Sequence, residues 1–367
     1  MKLALVHDWL NQWGGAEDVL AEWLGYFPDA PLYTSIYDPA KMPPPWADKD
    51  FHTLWLDRLP GIHQHHQRYL PLYPLAWGGL DLSDYDLILS NKSGFCHGVK
   101  KGPRSLHICY CLAPTRYVWQ FEHYAARENL GRGPKLAVGA FLPWLRWWDY
   151  QAAQTVDHFI AISRDIQARI RQFYGRDSTI IYPPVEVAER FQPAKVSKGG
   201  DYFLSLGRLV PYKRVDLAVQ ACTRLGLPLK VGGTGRDIDR LRGMAGPTVE
   251  FLGYVPDADL PDLFAHCRAF LFPGYEDFGI TPVQAQAAGR PVIAYAAGGA
   301  LDTVIEGQTG AFFYEQSVES LMAALQNFDP GAYQAEAIRQ QALQFDRARH
   351  EAQLRAFIER AWADFRP

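Results

Sequence analysis

No apolar run in the 367 residues approaches the roughly 18 that a membrane-crossing helix needs, so a segment of that kind is not expected. The opening MKLALVHDWL is apolar for only a strand's length before His7 and Asp8. It lacks the longer apolar region and small-residue cleavage site of a secretory signal. Cysteine is scarce: Cys96, Cys109, Cys111, Cys222 and Cys267 are odd in number and scattered, which argues against a disulfide framework. Cys109 and Cys111 alternate in a strand-like run and so share a face. Charge of one sign is also lacking. Lysine and arginine total 37 against 40 acidic residues, a net charge of -3, without the basic footprint of a nucleic-acid partner. No repeat of solenoid period is visible. The chain reads as a reduced, cytosolic protein.

What is present is apolar content of 48% and aromatic content of 14%, on a chain long enough for two cores. High aromatic content accompanies many carbohydrate enzymes, but large cores are the plainer reason. Strands are predicted at residues 2–7, 85–90, 105–111 and 158–163, with helical stretches between them. Val19, Leu20, Trp23, Leu24 and Phe27 share one face of the first helix. YPPV at 182–185 closes this unit, and the polar stretch 188–200 reads as a connection. A second alternation follows in DYFLSLG, LPLKVGG, TVEFLG, RAFLFP and RPVIAYA, and the chain is helical after 330. Strand–helix alternation predicts parallel sheets covered on both faces, with ligands at the carboxyl-end loops.

Three segments carry chemistry. GRLVPYKRVD (207–216) follows a strand and places Arg208 and Lys213 in the loop before a helix, where a planar fork and a point charge suit a diphosphate. A solvated basic loop is the plainer alternative. FPGYEDFGITPVQAQAAGRPVIA (272–294) places Glu276 beside a helix start near Ile280. The backbone N–H groups of Phe278, Gly279, Ile280 and Thr281 are donor candidates there, and Gly279 allows close approach. By itself Glu276 reads more simply as a partner of the helix dipole. Gly14-Gly15-Ala16-Glu17 makes a side-chain-free loop at another helix start, and Gly298-Gly299 forms a similar loop after the last predicted strand.

In this order and spacing the segments resemble the retaining glycosyltransferases of the GT-B fold, group 1. The resemblance covers nearly the whole chain and is most specific in GRLVPYKRVD and the EDFGITPV block. GGAE, CYCLAPTRYVW (109–119), VDHFIAIS and YPPV look like the subgroup containing bacterial O-antigen mannosyltransferases. The resemblance implies an α/β protein of two Rossmann-like domains with parallel sheets facing across a cleft. Residues 1–187 would form the acceptor-side domain and 200–345 the nucleotide-sugar domain. Residues 346–367 would form an amphipathic helix crossing back, with Leu354, Phe357, Ile358 and Trp362 on its apolar face; a partner-binding helix is the alternative.

The resemblance also implies roles. Arg208 and Lys213 would bind the donor diphosphate and stabilise the leaving nucleotide, and Glu276 would hold hydroxyls of the transferred sugar. The backbone from Phe278 through Gly279 and Ile280 to Thr281 would contact sugar and phosphates. Tyr254 and Val255 would border the base, and Gly14 and Gly15 would let the first domain approach the donor. Two positions depart from the pattern. Gln284 stands where the family has a second glutamate for the ribose, losing the charge-assisted kind of hydrogen bond. Leu112-Ala113-Pro114 replaces His-Thr-Pro, while Arg116 and Tyr117 are retained as sugar or acceptor contacts.

The expected activity is metal-independent, retaining transfer of a hexose, mannose first, from GDP-mannose or a UDP-sugar to a glycan or lipid-linked acceptor. No cofactor and no metal are expected, and the departing phosphate can take the acceptor's proton. A catalytically silent nucleotide- or glycan-binding subunit and a nucleotide-sugar epimerase are the alternatives. VGGTGRD (231–237) imitates a dinucleotide fingerprint but has Ile238 where the third glycine belongs. His63, His65 and His66 read as a solvated face. KLAVGAFLPWLRWWDY (135–150) suits either a membrane-surface helix, with peripheral contact at the inner membrane face, or core, with Pro143 interrupting it.

Overall fold

The computed structural model describes residues 1–46, 49–121, 132–191 and 200–365, and of residues 132–138 the backbone. The chain divides into two compact units, Met1–Tyr182 with Glu351–Pro367, and Pro183–His350.

The first unit is built on seven strands: β1 (Leu3–His7), β2 (Leu32–Thr34), β3 (Phe51–Thr53), β4 (Leu87–Lys92), β5 (Leu106–Cys111), β6 (His158–Ala161) and β7 (Ser178–Ile180). They lie in the order β3-β2-β1-β4-β5-β6-β7, every pairing parallel. β4 and β5 are buried at every position, as a sheet with both faces covered requires. The helix Gly15–Tyr26 buries Val19, Leu20, Trp23 and Leu24, and Trp23 meets Tyr110 of β5 edge-on at 5.3 Å. Phe27 falls just outside this helix as its C-cap. Trp23, Trp77, Tyr73, Tyr110 and Tyr174 are all fully buried, so much of the aromatic content is core.

The second unit holds β8 (Tyr202–Leu206), β9 (Leu229–Gly232), β10 (Val249–Gly253), β11 (Cys267–Phe272), β12 (Val292–Tyr295) and β13 (Gly310–Phe313). Their order is β10-β9-β8-β11-β12-β13, again all parallel. This is the doubly wound order, and its reversal between β8 and β11 opens a crevice at their carboxyl ends. In the first sheet the reversal falls between β1 and β4.

Several readings of the sequence need correction. The strands β2, β3, β7 and β13 were not anticipated, being only three or four residues long. The first unit ends at Tyr182, the first residue of YPPV, and the rest of that motif goes with the second unit. Val185 N donates to Phe345 O at 2.9 Å and Arg347 N to Val185 O at 3.1 Å, which ties 183–187 to the second unit. The connection placed at 188–200 lies largely outside the described residues. Pro143 does not interrupt its helix, which runs from Arg132 to Thr155. Leu145, Asp149 and Ala153 are fully buried along it, and that packing outweighs the loss of one backbone hydrogen bond. Trp144 and Trp148 pack on the first core, whereas Trp147 is 60% exposed.

The last helix, Arg347–Asp364, passes from one unit to the other at His350–Glu351. Leu354 and Ile358 are buried, Phe357 meets His158 edge-on, and Arg355 donates to Tyr26 O at 2.8 Å. Trp362 is partly exposed and stacks on Phe365 instead of entering the core. Among the described residues no helix is long and apolar enough to cross a membrane.

Candidate active site

The reversal point of the second sheet is bounded by the loops that follow β8 and β11. After β8 the chain passes Gly207 and Arg208, makes the short 3-10 turn Pro211–Lys213, and enters the helix Val215–Leu225 through Arg214. Arg214 holds φ 52°, a conformation costly for a side-chain-bearing residue. Its guanidinium is fixed on Asp216 at 3.1 Å and Gln316 at 3.2 Å.

The Arg208 loop is zipped to the segment after β9. Gly207 N donates to Gly232 O (3.1 Å), Leu209 N to Thr234 O (2.8 Å) and Asp237 N to Leu209 O (3.0 Å). This explains the glycines of VGGTG. A Cβ on Gly233 would lie 1.9 Å from Gly207 O, and one on Gly235 2.1 Å from Leu209 O. They serve backbone packing here.

After β11, Gly274 passes against Lys213, where a Cβ would come within 2.9 Å of Lys213 O. Glu276 follows, then Gly279 at φ 93°, which caps the helix Ile280–Ala287. Gly298-Gly299 forms the expected side-chain-free loop, with Gly299 at the start of the helix Ala300–Thr303, and packs closely on the Glu276 loop. Gly299 N donates to Glu276 O at 2.8 Å, and a Cβ on Gly299 would lie 2.2 Å from the Cα of Phe278. The pair therefore braces the Glu276 loop through its backbone.

The two chemistry-bearing loops meet through their side chains. Lys213 Nζ donates to Glu276 Oε1 at 2.5 Å, each side chain about one-fifth exposed. Arg208 is exposed and its Nη2 donates to Tyr212 Oη at 3.3 Å, while Lys213 Nζ lies 5.9 Å above the Tyr212 ring. Tyr212, passed over in the sequence, thus touches both cations. Tyr254 is 75% exposed, and Val255 packs beside Gly232 at the end of β9. Ile280 and Thr281 open the helix, with Gln284 half-buried one turn further on. The Phe278 ring packs edge-on against Phe345.

In the first unit, Gly14 caps the helix that begins at Gly15, and Glu17 in its first turn pairs with His7 Nε2 at 3.4 Å, both buried. Asp8, fully buried at the end of β1, accepts backbone N–H groups of Ser93 (2.7 Å), Gly94 (2.5 Å), Phe95 (2.7 Å) and Cys96 (2.8 Å). It thereby fills the reversal point of its own sheet. Lys92, also fully buried, donates to Ala113 O and Thr115 Oγ1, both at 3.1 Å. Asp149 accepts from Thr115, Trp119 and Tyr174 at 2.7–2.8 Å. These contacts hold the Leu112–Thr115 loop and the helix Arg116–Trp119, where Tyr117 meets Trp9 edge-on at 6.0 Å. Leu112 is buried.

The histidine run is not a uniformly solvated face. His63 pairs with Asp57 at 2.8 Å, and His66 is buried against Trp9, with Asn11 at 2.9 Å. Burial, with Lys41 nearby, pushes the His66 pKa down to about 4. Four Asp-x-Asp pairs occur in the sequence, at Asp48–Asp50, Asp84–Asp86, Asp237–Asp239 and Asp257–Asp259, and Asp48 lies outside the described residues. Asp86 accepts from Lys2 N and Asp237 holds Arg240. Among the described residues no group of three or more His, Cys, Asp or Glu is arranged to hold a metal ion.

Two family models match the chain: glycosyltransferase family 4 over residues 13–189 and glycosyl transferases group 1 over 187–343. The glycogen synthase of Mycobacterium tuberculosis is 30% identical over 198 residues, 49% of this chain and 48% of that protein. The O-antigen chain mannosyltransferase B of Escherichia coli is 32% identical over 162 residues, 41% of this chain and 39% of that protein. The matches thus span half or less of these relatives. HepE of Anabaena, solved in complex with UDP, superposes with a TM-score of 0.69 at 20% identity, covering 98% of this chain and 100% of that one. Sucrose-phosphate synthase from Thermosynechococcus elongatus gives 0.71 at 18%, covering 99% and 100%. With its two parallel α/β sheets and its paired loops after β8 and β11, the chain belongs to the group 1 glycosyltransferases and has the GT-B fold.

Proposed function

We propose that this protein is a retaining hexosyltransferase, taking a sugar from a nucleotide-sugar donor and passing it to a glycan or lipid-linked acceptor in surface polysaccharide or glycolipid synthesis. The observation that carries the reading is the meeting of Lys213 with Glu276 at the reversal point of the second sheet. A cation that neutralises phosphate and a carboxylate that accepts sugar hydroxyls are side by side. Arg208, on the same loop, supplies a second cation. Charge building on the departing diphosphate is stabilised by groups already in place, which is the largest contribution available to such a transfer. Leu112 offers no general base, and none is required when the leaving phosphate accepts the proton.

Mannose is the first candidate sugar. Two relatives favour it: the Escherichia coli mannosyltransferase and a GDP-mannose-dependent mannosyltransferase of Mycolicibacterium smegmatis, 28% identical over 193 residues. The UDP and UDP-glucose bound to HepE make uracil the alternative base. The two cations also favour transfer without a metal, so EDTA should leave turnover unchanged. Phe141, Trp147 and Tyr150 are 49%, 60% and 40% exposed along one helix, which favours peripheral membrane contact; co-sedimentation with anionic vesicles, lost on Trp147→Ser, tests that.

The direct test is turnover on a panel of nucleotide sugars with product anomer assignment. Arg208→Ala or Lys213→Ala should lower turnover by on the order of 100-fold. Near-normal rates in either variant would show that the phosphate site lies elsewhere. Gln284 and Leu112 favour a second reading, a silent subunit that binds nucleotide or glycan. Thermal stabilisation by a nucleotide sugar with neither hydrolysis nor transfer would select it, and conversion of the donor to its epimer would select an epimerase.

A further inference from the structure

The contact between Lys213 and Glu276 is built by the backbone. Gly274 brings the loop after β11 against the main chain of Lys213, with room for no side chain. Gly299 N holds Glu276 O at 2.8 Å, and a Cβ on Gly298 would lie 2.3 Å from that same oxygen. The two side chains, each about four-fifths shielded, then meet at 2.5 Å. A short, partly shielded pair of this kind is a charge-assisted hydrogen bond of the stronger class.

This pair sets up an exchange with any anion that draws the Lys213 ammonium, with its three N–H donors, away from Glu276. A ligand that draws the ammonium onto its own oxygens removes Glu276 from its partner. The carboxylate, still shielded, must then be satisfied by something else or lose its hydrogen bond. A nucleotide sugar supplies both halves of the exchange, phosphate oxygens for Lys213 and hydroxyl donors for Glu276. A nucleoside diphosphate supplies only the first, and it brings additional negative charge towards the stranded carboxylate. Arg208, paired with a neutral tyrosine, imposes no such exchange.

We propose that the Lys213–Glu276 pair is a selectivity element that favours the intact nucleotide sugar over the nucleoside diphosphate left after transfer, so that the spent donor is released. The proposal rests on the donor-site reading above and adds to it a role for Glu276 that acts against the product.

The test is calorimetric titration of the full chain with UDP, GDP, UDP-glucose and GDP-mannose, for wild type, Glu276→Gln and Glu276→Ala. Thermal unfolding of each variant is recorded alongside. Glu276→Gln removes the charge that competes for Lys213 and Glu276→Ala removes the acceptor altogether, so both should tighten nucleoside diphosphate, by roughly three- to ten-fold and more in the alanine variant. Neither should tighten the nucleotide sugar, so the preference for intact donor shrinks or reverses. Product inhibition of turnover in Glu276→Gln should deepen in parallel. Folded variants whose nucleoside diphosphate affinity is unchanged or weaker would overturn the proposal while leaving the donor site standing. Wild type that binds none of the four nucleotides would overturn the donor-site reading and this proposal with it.

Discussion

Gln284 sits half-buried one turn into the helix Ile280–Ala287, close in sequence to the Glu276 loop and uncharged. If it faces the ribose of the donor, restoring a carboxylate should add the difference between a neutral and a charge-assisted hydrogen bond, about 1 kcal/mol. Gln284→Glu is therefore expected to tighten nucleotide binding about five-fold. Titration with UDP and GDP checks this, and an unchanged affinity would place the ribose elsewhere. Gly299→Ala acts by volume alone, because φ at this residue is -65°. A Cβ there meets the backbone of Phe278, so the Glu276 loop must shift, at a cost of about 1–3 kcal/mol. A lower thermal midpoint together with weaker nucleotide-sugar binding is the expected result. At this scale the positions of Arg208, Lys213 and Glu276 were legible, since each follows a strand in a short loop that the local pattern reveals. Tyr212 was not, because a tyrosine between two cations looks like any other until the turn Pro211–Lys213 brings its hydroxyl to Arg208.

The loops at the carboxyl end of the first sheet are pinned by buried polar side chains that come from distant elements. Asp8 after β1 satisfies four N–H groups after β4. Lys92 at the end of β4 and Asp149 on the helix Arg132–Thr155 both reach Thr115. Asp8→Asn turns one acceptor oxygen into a donor facing buried N–H groups, and should cost about 2–4 kcal/mol. Chemical denaturation would show this as a lower midpoint with an unchanged slope. Lys92→Met keeps the bulk but leaves Ala113 O and Thr115 Oγ1 without their donor. The expected loss is about 1–3 kcal/mol, with turnover falling further than donor affinity if the Arg116–Tyr117 segment positions the acceptor. None of these clamps was visible in the sequence, because the partners of Asp8 lie 85 to 88 positions away. Short strands escaped for a related reason. Leu32–Thr34 and Ser178–Ile180 are defined by their parallel neighbours and have no period of their own.

The stability of the folded chain should depend on pH through its buried neutral histidines. Burial pushes His66 down to about 4, and burial, with His97 and Lys101 nearby, pushes His107 down to about 3. In the unfolded chain both take a proton near 6.5. Between those values the unfolded state binds more protons than the native one, so stability is complete above about 6.5 and falls as the pH drops. The loss attached to His66 ends near pH 4 and amounts to about 3 kcal/mol. Thermal unfolding from pH 7.5 to 4.5 should show a falling midpoint, and His66→Gln should flatten the curve. A midpoint that rises on acidification would contradict the assignment.

Read as sequence, the chain already determined its two α/β units and the place of Arg208, Lys213 and Glu276 in loops directly after strands, and the resemblance of its motifs pointed to the family. The units and the loop positions rest on local physics, namely strand and helix periodicity and charged residues placed directly after strands. Tertiary structure alone decided that Lys213 and Glu276 touch, that the glycines of VGGTG and Gly298-Gly299 serve close backbone packing, and that Asp8 fills the reversal point of the first sheet. Each of these depends on which strand lies beside which, and strand order comes from packing whole faces together, a quantity no short window of residues contains.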